Sequence, residues 1–271
     1  MTVGLARKRG INVDQAIAAD QTKKIGAYLE TWRERALQAV GIPGDADTVS
    51  YILLGLAAES YPGDLGTDAQ AMFLKRLQAP DGRWRILANR PPIESSDIQV
   101  TAATMRALQV YAPPAMRREF DKAVAAAAAW LRTATPRSTE DRAFQLLGLH
   151  WAKAPKQVAQ DAGRALVSEQ RADGGWAQIP SMGSDAYATG QALFALAQSG
   201  ALSPTDPAFR RGVEFLLKTQ LADGSWFVRT RAIPIQPLFD ASFPHGADAF
   251  ISAAATNWAA MALAYAPRTT S

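Results

Sequence analysis

Gln220-Leu221-Ala222-Asp223-Gly224-Ser225-Trp226 is one of three copies of a motif with the form Gln-x-x-Asp-Gly-x-Trp. The other copies occupy residues 78–84 and 170–176, and each copy directly follows an apolar run of helical character. Gly accepts the left-handed backbone that ends helices, so Asp-Gly marks a helix end. The Trp ring is large and its indole N–H needs an acceptor, which indicates a buried position. We predict that each copy, called here the Gln–Trp motif, clamps a helix end in a repeat protein.

A second landmark recurs between these motifs, namely an Asp that opens a helix rich in small residues. Such helices are apolar nearly all round, which suits packing on two sides, and we interpret them as inner helices. They begin near Asp47, Asp97, Asp141, Asp185 and Asp248. Amphipathic segments alternate with them and are interpreted as outer helices. These cover residues 66–78, 115–132, 156–169 and 207–219, and a long opening helix covers residues 13–40.

The stretch of residues 211–226 resembles the QW repeat of squalene-hopene cyclases and related triterpene cyclases, and residues 162–176 and 69–84 are similar but looser. Residues 243–265 resemble the closing helix of bacterial proteins with prenyltransferase/squalene-oxidase repeats. The resemblance covers roughly residues 65–266 and implies an all-α fold, an α/α toroid whose inner helices surround an apolar cavity.

We therefore expect residues 1–271 to form one toroid domain of about five helical hairpins, one pair fewer than such rings usually have. The ring is then either imperfect or part of a longer ancestral protein. An incomplete ring exposes apolar helix faces, which favours a homodimer or a partner domain.

Composition narrows the classes of partner. The chain has 48% hydrophobic and 20% charged residues, as expected for a globular domain with a sizeable core. Its net charge of +4 and pI of about 9.4 are too mild for nucleic acid binding. The basic excess suits diphosphates or anionic lipid headgroups, so peripheral membrane contact is one expectation. The absence of cysteine excludes disulfides and thiolate metal sites.

Local composition suggests the character of the N-terminus and of one long insertion. Residues 1–12 are expected to be disordered. Neither a signal-peptide core nor a run of about 18 apolar residues occurs, which predicts a cytoplasmic protein without a transmembrane helix. Residues 227–246 form a long insertion that combines prolines with apolar side chains, and we interpret it as a lid over the cavity.

Hopene cyclases protonate an alkene with an Asp-x-Asp-Asp-Thr-Ala motif that opens an inner helix, where burial and neighbouring carboxyls make one Asp a strong acid. The nearest match, residues 97–102, keeps Asp97 and Thr-Ala but has Gln99 and Val100 in place of the central acids. The resemblance thus implies at most a single-Asp donor, for which Asp97 and Asp185 fit best. The full set of catalytic candidates is Asp97, Asp185, Asp47, Tyr187 and His245. Helix capping is the competing interpretation for each Asp, and capping of the last helix for His245.

Other side chains are candidates for substrate binding. Arg85, Arg229 and Arg231 lie in equivalent loops after the first and third motifs, where they would form a site for phosphate or carboxylate, unless they are simply solvated. The candidate cavity walls are Phe194, Phe250 and Trp258 on inner helices and Phe239 in the insertion. Ordinary core packing is the alternative for these aromatic residues.

The sequence lacks the Asp-Asp-x-x-Asp metal motif of prenyl transfer, and the zinc site of protein prenyltransferases cannot form without cysteine, so no metal or cofactor is expected. Three hypotheses follow. The first is a proton-initiated terpenoid cyclase, of isomerase or lyase type. The second is a non-catalytic toroid that binds a lipid or a partner, which a cavity packed solid with side chains would rule out. The third is carbohydrate processing by two facing carboxylates.

Overall fold

The computed structural model describes residues 1–233 and 242–267, and these residues are mostly helical. The helices are α1 (Thr2–Lys8), α2 (Gln15–Thr31), α3 (Arg33–Leu37), α4 (Asp45–Ala58), α5 (Leu65–Arg76), α6 (Asp97–Tyr111), α7 (Arg117–Thr133), α8 (Thr139–Trp151), α9 (Lys156–Val167), α10 (Ala186–Ser199), α11 (Pro207–Thr219) and α12 (Ala249–Leu263). Short 3₁₀ helices cover Pro114–Met116 and Gly246–Asp248. Strands β1 (Trp176–Ala177) and β2 (Ser184–Asp185) pair antiparallel, with Trp176 opposite Asp185.

The inner helices α4, α6, α8, α10 and α12 pack side by side in chain order. Helices α2 with α3, α5, α7, α9 and α11 lie outside them, which confirms the all-α fold and the alternation of inner and outer helices. The predicted opening helix of residues 13–40 is instead two helices, separated at Trp32. None of the described helices has the length and hydrophobicity needed to cross a membrane.

The three Gln–Trp motifs make the same hydrogen bonds. The Trp84 indole N–H donates to the Leu74 carbonyl at the end of α5 (2.7 Å), and its backbone N–H donates to Thr101 Oγ1 on α6 (2.9 Å). The corresponding acceptors are Leu166 and Thr189 for Trp176, and Leu216 and Thr256 for Trp226. Each Trp therefore ties the end of one outer helix to the inner helix that follows it.

The Gln side chain extends this clamp to the next outer helix in two of the three copies. Gln78 Nε2 donates to the Gly82 carbonyl and to the Ala123 carbonyl of α7, both at 2.8 Å. Gln170 bonds the Ala208 carbonyl of α11 in the same way (2.7 Å). Within the described residues, Gln220 bonds only the Gly224 carbonyl of its own turn (2.9 Å), because no outer helix follows α11.

The first residues of the chain, for which we expected disorder, contain helix α1. This helix packs on both α12 and α4, the last and first inner helices. Thr2 Oγ1 donates to Asn257 Oδ1 (2.7 Å), and Arg7 forms a 2.8 Å ion pair with Glu59 at the end of α4. A Cβ on Gly4 would lie 2.3 Å from the Ala58 carbonyl oxygen, so the close contact requires glycine. Helix α1 thus bridges the two ends of the row of inner helices.

Two glycines of the Gln–Trp motifs share a strained backbone conformation, but only one of them packs closely against a neighbouring helix. Gly82 and Gly224 both have positive φ, at +95° and +82°. A Cβ added at Gly82 would lie 2.6 Å from the Ala126 carbonyl oxygen of α7. A Cβ added at Gly224 would lie 4.0 Å from its nearest neighbour, Nε2 of Gln220.

We expect Gly224→Ala to lower the free energy of unfolding by about 1–2 kcal/mol through backbone strain alone. Gly82→Ala should cost a further ~1–3 kcal/mol because α7 must move. Urea unfolding of both variants measures the difference, and equal losses would contradict the contact with α7.

Candidate functional site

Polar side chains from four inner helices meet inside the ring near its N-terminal mouth, the end at which these helices begin. They are Asp47 on α4, Gln99 on α6, Glu140 on α8, and Tyr187 and Gln191 on α10, and we call them the acid cluster. Each is at most 4% exposed. The helices begin at residues 45, 97, 139 and 186, so every member lies in the first two turns. The ring itself therefore brings them together, since its inner helices start at the same end.

The acid cluster has few hydrogen bonds for its degree of burial. Tyr187 Oη donates to Glu140 Oε1 at 3.2 Å. Among the residues that the structure describes, Asp47 Oδ1, Glu140 Oε2 and both amide atoms of Gln99 and Gln191 make no hydrogen bond of good geometry, although Gln99 lies beside Asp47 and Gln191 beside Glu140. Each unpaired buried polar group costs about 1–3 kcal/mol, and such groups are rare in folded proteins. Their concentration at one mouth is typical of a site built to meet another group.

Burial also changes the protonation of the two acids. It raises the pKa of Asp47 to about 7, and the negative charge of Glu94 adds to this effect, while Gln99 and Arg90 oppose it. Burial raises the pKa of Glu140 well above its usual range, and the nearby carboxyls of Asp47 and Asp141 act in the same direction. A pKa of about 7 leaves Asp47 about half protonated at neutral pH, and Glu140 keeps its proton to a higher pH than an ordinary carboxyl does. Both can donate a proton.

Loops that follow all three Gln–Trp motifs cover the acid cluster. Pro92, Gln178 and Arg231 enclose with Glu140 and Tyr187 a cavity of about 10 Å³, room for roughly one water molecule. Arg231 Nε donates to Gln178 Oε1 (2.6 Å), and burial lowers the pKa of its guanidinium. The sequence predicted an apolar central cavity here. The structure has polar side chains and a space far smaller than an isoprenoid, because large residues from facing helices fill the centre.

Of the predicted catalytic residues, the structure brings together Asp47 and Tyr187. Asp185 caps α10, accepting from the Ala188 N–H (2.8 Å) and from Gln178 Nε2 (2.9 Å), and burial raises its pKa. Asp97 lies outside the acid cluster. Its carboxylate accepts from the Ile86 N–H (2.9 Å) and lies 3.4 Å from Arg83 Nη1. These two contacts hold the loop after the first motif against the start of α6.

His245 lies at the turn of the third motif. Its Nε2 is 2.9 Å from Ser225 Oγ, and that hydroxyl donates to Asp223 Oδ1 (2.7 Å). Because a hydroxyl has one proton to give, His245 Nε2 is the donor in the first contact. The nearby carboxylate of Asp248 accepts from the Thr230 N–H (2.7 Å).

The predicted substrate residues lie in different environments. Phe194 and Trp258 are each 5% exposed and lie 5.5 Å apart, centroid to centroid, in an aromatic layer with Phe144 and Tyr51, farther from the mouth than the acid cluster. Arg85 and Arg229 are exposed, as is Phe250 at 44%. Phe239 lies outside the described residues, as do all of residues 234–241 in the predicted lid. Arg231 alone of the three predicted arginines reaches the small cavity.

Sequence reasoning missed Glu140 and the two glutamines. Glu140 follows Ser138 and Thr139, and Ser138 does cap α8 by accepting from the Asp141 N–H (3.1 Å). The available signal was that Gln99 and Gln191 each stand between small or apolar neighbours near the start of an inner helix; for Glu140, in the polar first turn of α8, no such signal exists in the sequence. Among the described residues, no three His, Asp or Glu side chains lie close enough to hold a metal ion.

The sequence is similar to that of two known enzymes. No protein-family model matches it. It is similar to a drimenyl diphosphate synthase from Streptantibioticus cattleyicolor, 30% identical over 214 residues that cover 72% of this chain and 38% of the relative. A second drimenyl diphosphate synthase, from Streptomyces showdoensis, is 29% identical over 227 residues that cover 76% of this chain and 40% of the relative. The chain thus has homologues among terpene cyclases, at low identity, and spans about two fifths of their length.

The raised pKa of Asp47 makes stability depend on pH. Asp47 titrates near 7 in the folded protein but near 3.8 when unfolded, so the folded state holds an extra proton between these values. The wild-type protein should therefore lose stability as pH rises from about 4 to about 7. Asp47→Asn removes this loss, so the variant should gain on the wild type by up to roughly 4 kcal/mol between pH 4 and pH 8. Urea unfolding at both pH values tests this.

Exposed Asp20→Asn is the matched control and should follow the wild type at both pH values. A difference between Asp47→Asn and wild type that is the same at pH 4 and pH 8 would show that Asp47 is ionised at neutral pH.

Proposed function

We propose that this chain is the proton-donating part of a terpene-cyclase-type enzyme, with Asp47 as the acid and Glu140 as a second, coupled acid. The observation that carries the proposal is the pair of buried carboxylic acids on facing inner helices, each with one oxygen lacking a partner among the described residues. An acid kept neutral by burial until it meets a substrate is what protonation of a weakly basic alkene requires.

The step conserves protons and electrons. The Asp47 hydroxyl proton forms a C–H bond with one alkene carbon, using the π electrons, and leaves a carboxylate and a carbocation. A second alkene of the same molecule attacks the cation and closes a ring, and loss of a proton to a base restores an alkene. Glu140 would stabilise the Asp47 carboxylate through its proton, while the Tyr187 hydroxyl donates to the other Glu140 oxygen. The positive charge of Arg90 favours the ionised form of Asp47 after transfer.

The small central cavity favours a substrate site at the mouth rather than inside the ring. Large apolar side chains are exposed around the mouth, namely Leu87 (71%), Phe227 (51%), Ile233 (81%) and Phe250 (44%). The curated relatives are also more than twice as long as the matched region. We call these four exposed side chains the rim. We infer that a partner domain or a second copy covers the rim and completes an apolar cavity over the acid cluster. The same rim would suit contact with a membrane surface.

The substrate class follows from the mouth and from the relatives. Their name includes a diphosphate, and Arg85 and Arg229 place two exposed guanidinium groups in loops at this mouth. We propose a linear isoprenoid diphosphate, with its alkene at Asp47 and its diphosphate at these arginines. The Gln–Trp motifs support a finer proposal, that the chain shares its repeat with squalene-hopene cyclases.

A non-catalytic toroid is the rival. The cavity of about 10 Å³ opposes the form of this hypothesis in which a lipid lies inside the ring, and leaves the form in which a partner binds at the mouth. Under that hypothesis the acid cluster is a remnant, and the rim serves only to bind a partner. The rival predicts no product from any isoprenoid, while the cyclase hypothesis predicts one whose formation depends on Asp47.

Turnover of linear isoprenoid diphosphates separates the candidate acids. Asp47→Asn should reduce cyclised product by at least a factor of about 10², because loss of the general acid removes its contribution of roughly 10²–10⁴-fold. Glu140→Gln should reduce it less. Asp97→Asn is the control and should retain most activity, since the partners of Asp97 are Arg83 of the first motif and Ile86 of the loop after it, outside the acid cluster. Product is measured by gas chromatography and mass spectrometry after phosphatase treatment.

The assay is run at low protein concentration and at concentrations where the chain self-associates, with native mass spectrometry of the purified protein to identify any bound isoprenoid. Equal turnover by Asp47→Asn and wild type would remove Asp47 as the acid. Absence of both product and bound isoprenoid under every condition would favour the non-catalytic rival.

A further inference from the structure

A second cavity opens at the opposite end of the ring, where the inner helices end. Its volume is about 390 Å³, within the range of about 300–1,000 Å³ that is usual for small-molecule sites. All five inner helices contribute to its wall, through Leu54, Arg106, Trp151, Phe194 and Met261. Helix α1 covers one side with Leu5, Lys8 and Arg9. We call this cavity the rear pocket.

The charged groups of the rear pocket have one sign. Its lining includes Lys8, Arg9 and Arg106 but, within the described part of the chain, no Asp or Glu. The nearby acid Glu59 forms an ion pair with Arg7 at 2.8 Å. The Arg9 guanidinium stacks over the Tyr265 ring, 3.9 Å from its centroid. The rear pocket therefore presents cations beside aromatic and aliphatic surface.

Arg106 is the unusual member. It projects from the middle of inner helix α6 and is partly buried, and burial lowers the pKa of its guanidinium. Its hydrogen bond goes to the neutral amide of Gln109 (3.2 Å), and it has no ion pair with any described residue. Burial and the charge of Arg106 lower the pKa of the neighbouring His150, and an imidazole cannot supply the negative charge that Arg106 lacks. A partly buried Arg without a counter-charge is costly, and natural proteins usually pair it with an anion.

We propose that the rear pocket binds an anionic amphiphile, with its phosphate or carboxylate headgroup on Arg106 and Lys8 and its hydrocarbon chain against Leu54, Phe194 and Met261. The headgroup supplies the charge that Arg106 lacks, and a bidentate contact suits its planar guanidinium. The apolar wall excludes a purely polar anion, and the cations exclude a neutral lipid. This site is separate from the acid cluster, since it lies beyond the aromatic layer of Phe144 and Trp258.

Isothermal titration with four matched probes tests the chemistry: decyl phosphate, decanoate, decanol and inorganic phosphate. We expect at least one of the two anionic amphiphiles to bind more than tenfold tighter than both decanol and inorganic phosphate. Binding of decyl phosphate alone would assign a phosphate headgroup, and binding of both would assign an anion site that does not distinguish them. Failure of both anions to bind, or equal affinity for decanol, would overturn the proposal.

Variants of the full chain then locate the site. Arg106→Gln should weaken anion binding by roughly tenfold or more, the usual loss for a charge-assisted hydrogen bond, and leave decanol unchanged. Arg106→Lys should restore most of the affinity. Arg210→Gln, an exposed arginine of outer helix α11, is the matched control and should bind like the wild type.

Two further variants keep the result interpretable. Ala57→Leu narrows the rear pocket and should weaken every probe that has a chain. Asp47→Asn should bind all probes like the wild type, so failure of the cyclase proposal would not affect this one. Unchanged anion affinity in Arg106→Gln with a native circular dichroism spectrum would contradict the proposed headgroup site.

Discussion

The hydrogen bond from each motif Trp to the last turn of an outer helix is the interaction on which the ring depends. It joins the end of that helix to the start of the next inner helix, because the same Trp bonds a Thr there through its backbone. Trp84 and Trp176 are completely buried, so breaking either clamp would leave a large cavity and an unpaired carbonyl together. The clamp sets the direction of α6, α10 and α12, and the inner helices α4 and α8 pack beside these and start at the same end.

That common direction explains the candidate site. Helices that start at one mouth bring their first turns together, and those turns carry Asp47, Gln99, Glu140 and Tyr187. Burial of such groups opposes folding, and the ring tolerates it because the surrounding core is extensive and apolar. At the other end of the ring, the same arrangement brings the last turns together around Arg106. One architecture thus yields two polar positions separated by an aromatic layer.

The fold could be predicted because its determinants are local. Asp-Gly ends helices, Trp needs an acceptor, and small residues allow close packing, and each of these can be recognised within a few positions. The site could not be predicted as fully, because which face of an inner helix points inward is set by packing across the ring. Asp47, for example, could be either a helix cap or a catalytic acid from the sequence alone, and only the packing of α4 against α6 brings it beside Gln99. Similarly, Gln99 was considered only as the loss of an acid, whereas in the structure it lies beside one.

Proton transfer from Asp47 requires that this residue be a neutral acid near physiological pH. A carbon-13 NMR titration of its side-chain carboxyl tests this most directly. The spectra of protein labelled at the Asp carboxyl carbon are assigned by comparison with Asp47→Asn. We expect the Asp47 resonance to titrate with a pKa of about 7. A resonance that titrates near the ordinary Asp value of about 4 would contradict the account, because Asp47 would then be ionised and unable to donate a proton.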